Sequence, residues 1–119
     1  MKINRSFCLV LFSLFSIVAF GALEKKNIVI NELLVTNTEN LIDEYGNRSG
    51  WIELYNPTLR TIDIGGYYLT NDTLNASKYK IPVGDDLTLI PPLSHVIFFA
   101  DNDSQNGIFH TNFTLNESN

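Results

Sequence analysis

The 119-residue chain holds one cysteine, Cys8, and only two histidines, His95 and His110. Cys8 sits inside "SFCLVLFSLFSIVAFGA", an uncharged run that follows "MKINR" with its Lys2 and Arg5. A basic start, an apolar middle and small residues at the end have the layout of a secretory leader, and Ala19 and Gly21 supply the small-x-small pattern for cleavage after Gly21. An uncleaved anchor is the alternative, because the run approaches the ~18 residues that a membrane span needs. Once residues 1–21 are removed the chain has no thiol. That excludes disulfides, thiolate metal sites and a cysteine nucleophile together.

Positive charge is scarce as well. Eight Lys and Arg stand against thirteen Asp and Glu, and loss of the leader removes Lys2 and Arg5 but no acid, which leaves a formal charge of −7. A phosphate backbone selects clustered cations, so nucleic acid is not an expected partner. Lys78 and Lys80 in "SKYKIP" read as the solvent face of a short strand whose Tyr79 and Ile81 point inward.

Beyond the leader and a polar spacer at residues 22–26, no segment of ten or more residues carries helical apolar spacing. β-Branched and aromatic residues instead gather in short runs, which predict strands at about Asn27 to Leu34, Trp51 to Tyr55, Thr61 to Ile64, Tyr67 to Thr70, Lys78 to Ile81, Leu87 to Ile90 and His95 to Ala100, with a last one from near Phe109. Asn56-Pro57, Gly65-Gly66, Gly84-Asp85, Pro91-Pro92 and Asn106-Gly107 punctuate them. The fold class is therefore all-β, a sandwich of short strands. In "WIELY" a period of two puts Ile52 and Leu54 on one face and Trp51, Glu53 and Tyr55 on the other. "HVIFFA" is apolar on both faces, the pattern of a central strand covered on both sides.

The order "IVINELL", "IDEYGNRSG", "WIELYNP", "IDIGGYYLTND", "KYKIP", "LTLIPPLSHVIFFAD" and "HTNFTL" resembles the lamin tail domain as it occurs in secreted bacterial proteins. The resemblance spans Ile28 to about Leu115. It implies an immunoglobulin-like β-sandwich and a non-catalytic module that binds or tethers, in bacteria often joined to surface enzymes such as spore-coat-type kinases or nucleases. It carries no catalytic residue over. Tyr67 stands where the family often has Trp, and Leu93 where a turn glycine is common, which predicts a different turn type over Pro91 to Ser94. In the family "HTNF" leads into a polar turn and further strands, whereas here "TLNESN" follows, so the resemblance implies a domain over 27–119 that lacks its last strands.

Read for chemistry, the residues give little to an enzyme. No Gly-x-Ser-x-Gly turn is present, and Ser94 beside His95 would point to the opposite strand face. His95 is expected to pack at a strand end and His110 to hydrogen-bond a loop. Without a HExxH-type pair the two imidazoles make a poor case for zinc. "DNDSQNG" has Asn106 where an EF-hand requires glycine and Asn112 where it requires glutamate. No cofactor is expected; the alternative is a looser calcium site from Asp43, Glu44 and Glu53, against the plain reading of a solvated loop and an exposed strand face. Beyond the leader, six Asn-x-Ser/Thr triplets start at Asn47, Asn71, Asn75, Asn102, Asn112 and Asn116. In a eukaryotic secretory pathway they would be glycosylation acceptors, and in a bacterium nothing covalent.

Three functional classes follow: a secreted, periplasmic or cell-surface non-catalytic module that binds protein or glycan, the accessory domain of a secreted enzyme whose catalytic part lies beyond residue 119, and a calcium-dependent adhesion domain. The first leads, because loops at the end of a rigid sandwich suffice for it.

Overall fold

The computed structural model describes residues 8–10 and 27–115, in which seven short apolar runs between residues 27 and 100 become strands and an eighth strand lies at Cys8–Val10, within the leader-like run. They are β1 (Cys8–Val10), β2 (Val29–Leu34), β3 (Gly50–Tyr55), β4 (Ile62–Asp63), β5 (Tyr68–Thr70), β6 (Tyr79–Lys80), β7 (Leu89–Ile90) and β8 (His95–Ala100), with 3-10 turns at Asp86–Thr88 and Ser104–Asn106. The cleavage point after Gly21 and the 22–26 spacer lie outside the described residues, as does the tail from residue 116. Each strand expected between residues 27 and 100 has a counterpart, and the fold is all-β. No helix among the described residues is long and apolar enough to cross a membrane.

Three sheets form, in the orders β2-β3-β8, β1-β5-β6 and β4-β7. β3 is antiparallel to both neighbours, with Ile52 opposite Leu33 on one side and Phe98 on the other. Its alternation holds in part: Ile52 and Leu54 are fully buried and Glu53 and Tyr55 only partly so, but Trp51, expected on the face of Glu53 and Tyr55, is 4% exposed, so that face is covered at its start. β5 and β6 pair antiparallel, and β1 lies parallel to β5 with Leu9 opposite Leu69. Leu69, Tyr79 and Ile81 from this side share one core with Ile28, Ile52, Leu54 and Phe98, and Ile64, Ile90 and Phe113 close it. Phe98 sits in the middle, edge-on to Phe109 at 5.4 Å and to Tyr79 at 6.5 Å. Tyr79 and Ile81 point inward and Lys80 outward, as the "SKYKIP" pattern predicts.

Two further expectations change. β8 is not the central strand; β3 is, and beyond β8 the ladder continues only as single bridges, Phe99 with His110 and Asp101 with Thr114. The second apolar face of "HVIFFA" is covered by that segment, with Phe99 stacked on the His110 ring at 5.7 Å. The strand expected from Phe109 reduces to these bridges because the Thr111 hydroxyl donates to Phe113 O at 2.8 Å, a local turn that competes with a ladder.

Candidate functional site

One end of the sandwich is built around a buried imidazole. Phe99 N donates to Phe109 O at 2.7 Å and Thr111 N donates to Phe99 O at 2.9 Å, so the backbone on both sides of His110 is fixed to β8. The ring, 1% exposed, lies between two acids: Nδ1 is 2.5 Å from Asp101 Oδ2 and Nε2 is 3.1 Å from Glu44 Oε1. Burial alone disfavours the imidazolium, but the hydrogen bonds with Asp101 and Glu44 outweigh it and hold the His110 pKa above its ordinary value. The Glu44 carboxyl is lowered by a bond to its own backbone N–H and then by His110. Tyr45 packs its edge on the ring at 5.8 Å, and its hydroxyl donates to Asn106 O at 3.1 Å.

The loop that delivers Glu44 is organised by its neighbour. Asp43 Oδ1 accepts from the N–H groups of Tyr45 at 2.9 Å and Asn47 at 2.8 Å, and the turn closes through Gly46, at φ +85°. A left-handed residue in that place suits glycine. Asp43 is 6% exposed, and its second oxygen, Oδ2, is buried without a hydrogen-bond partner. An unsatisfied buried acceptor costs on the order of 1–3 kcal/mol. One ligating atom from each of Asp43, Asp101 and His110 lies within 4.8 Å of the others.

Of the three residues proposed for calcium, two reach this place. Asp43 and Glu44 do, and Glu53 does not: it accepts from Asn31 Nδ2 at 2.7 Å and stands 3.8 Å from His95 Nε2. Asp101 and His110 take its place. Sequence reasoning passed over Asp101 because only the EF-hand template drew attention to it; Glu44 and His110 are 66 residues apart, and nothing local signals their meeting. Asp103 turns instead to Gln105 and Asn106. His95 packs at its strand end, stacked on Tyr55 at 4.5 Å, while Ser94 Oγ donates to Pro92 O. The adjacent Ser–His pair therefore forms no nucleophile and base.

The opposite end is tied by Asn56, which is fully buried. Its Nδ2 donates toward Arg60 O at 2.8 Å, Ile90 O at 2.9 Å and Pro91 O at 3.0 Å, and its Oδ1 accepts from Thr58 N and Thr58 Oγ1. Backbone Asn56 N donates to Ser94 O at 2.9 Å. The loop after β3 and the turn after β7 are thus locked together. Each carries an exposed leucine, Leu59 at 82% and Leu93 at 55%. Leu93 has φ +56°, so the turn keeps the left-handed residue that glycine would supply, contrary to the expected change of turn type.

No curated protein and no solved structure matches the chain. The β2-β3-β8 sheet with "WIELY" at its centre and the Asn56 tie fall within residues 22–119, the span matched by the model of a single family; β1 lies before it. The chain belongs to the Lamin Tail Domain family, a family of non-catalytic, immunoglobulin-like domains.

Proposed function

We propose that this protein is an exported, non-catalytic module that tethers itself to a protein surface through the Asn56 end. The carrying observation is the pair Leu59 and Leu93, large aliphatic side chains held in water on two loops that one buried amide fixes. Ordered loops bind with less loss of conformational freedom than mobile ones. Leu89, 43% exposed on β7, is a further aliphatic side chain in water on the strand that leads into the Leu93 turn. Large exposed aliphatic side chains suit a protein partner better than a glycan. The leader-like N-terminus supports an extracytoplasmic setting.

The test is retention. With an epitope tag after Asn119, the protein made in its own cell is expected to be surface-associated, protease-accessible and released into the medium by L59S/L93S. Equal retention of the double variant, or protection of the wild type from external protease, would overturn the reading.

A further inference from the structure

The Asp101–His110–Glu44 arrangement is self-sufficient as an ion-paired imidazole, but the carboxylate beside it, Asp43, has one polar atom that this pairing does not explain. Asp43 Oδ2 is buried and unpartnered, on a carboxyl group whose other oxygen is fixed by two backbone N–H groups. A residue held that firmly cannot turn its free oxygen to water without breaking the turn. An acceptor kept dry beside another carboxylate and an imidazole lacks a cation.

We infer that Asp43, Asp101 and His110 form a binding site for a first-row transition dication of the zinc type. Their ligating atoms are already within 4.8 Å of one another, and ligands about 2.0–2.2 Å from a shared zinc would stand about 3.4 Å apart, a contraction of side-chain size. Glu44, 3.1 Å from Nε2 and 60% exposed, stands at the solvent rim, free to swing toward the ion or away. The imidazole decides the class of metal. Calcium takes six to eight oxygens, whereas a nitrogen with carboxylates suits zinc and its neighbours. Histidine spacing in the sequence could not reveal such a site because its three residues come from a loop, a strand end and a bridge segment. An ion there would fasten the Asp43–Asn47 turn onto the Asp101–His110 segment, at the end remote from Leu59 and Leu93.

Purified protein stripped with chelator and desalted would be titrated with Co²⁺ and then Zn²⁺. The expected result is saturable 1:1 binding with visible d–d bands, displaced by Zn²⁺, and a perturbed imidazole NMR signal from His110 but not His95. D43N, which keeps the acceptor for both backbone N–H groups, is expected to weaken binding by roughly tenfold or more. H95Q and E53Q are expected to leave it unchanged. The two imidazole signals of the wild type keep the test decisive even if D43N folds poorly. Absence of saturable binding, perturbation of His95 alone, or Ca²⁺ bound as tightly as Zn²⁺ would each overturn the inference.

Discussion

Replacing Asn56 by alanine tests what holds the Asn56 end together. The substitution removes an amide that donates toward three carbonyl oxygens and an oxygen that accepts from Thr58 N and Thr58 Oγ1. An amide has two hydrogens and serves three acceptors, so about four hydrogen bonds are lost, at about 1 kcal/mol each, or ~4 kcal/mol in all. A domain of this size has roughly 5–13 kcal/mol of stability, so N56A should forfeit a third or more of it. Urea titration followed by circular dichroism is expected to show a large fall in midpoint at unchanged slope. Asn56→Asp sharpens the test. The carboxylate would still accept from Thr58 but would face the carbonyl oxygens of Arg60, Ile90 and Pro91 with charge in place of donors. Its folded-state pKa should therefore be raised, and the deficit of N56D relative to wild type should shrink as pH falls toward ~4 and the carboxyl is protonated. A loss below about 1 kcal/mol for N56A, or a deficit of N56D that grows in acid, would refute this account.

Three further outcomes are expected. With chelator present, His110, its pKa raised, contributes stability that is complete below its unfolded value of about 6.5 and is lost as pH rises through the folded value, so melting temperature should decline above that point and decline less in E44Q; a flat profile would contradict the paired imidazolium. Burial, then the Asp101 charge, pushes the Tyr79 phenol up to about 12, so absorbance titration should find a late-ionising phenol that Y79F removes, at a cost of about 1 kcal/mol for the bond to Ile108 O. Leu93→Gly should gain roughly 0.5–1 kcal/mol by relieving a left-handed backbone at a side chain that packs little; a denaturation midpoint below wild type would refute that, and surface retention should fall in the same variant.

The period of two made Ile52, Leu54, Tyr79 and Ile81 legible as core because each strand buries one face against the other layer. It misplaced the centre of the sheet at β8, since a strand covered by an irregular segment and a strand covered by a sheet have the same apolar pattern. Asn56 was legible only as turn punctuation before Pro57. Its partners at Ile90 and Pro91 lie 34 and 35 residues on, and their carbonyls belong to the backbone, so no residue identity announces them. The His110 site shares that limit: two of the three calcium candidates reach it through loop chemistry at Asp43, whereas Asp101 joins only because β8 ends opposite the segment that carries His110. Leu93 shows the converse, a backbone conformation kept by its surroundings after its usual residue is gone.

β2 is terminal in its sheet, and its register slips between Ile30 and Glu32, with Glu32 then opposite Glu53. Like charges facing across a ladder repel, and the amide that the slip releases, Asn31 Nδ2, donates to Glu53. Another strand approaching this rim would meet an interrupted row of N–H and C=O groups and a negative side chain at once. Glu53, one of the three calcium candidates, thereby holds Asn31 at the slip, and Glu32 is the acid that meets an incoming strand. An edge interrupted in this way resists strand addition even where molecules are crowded together.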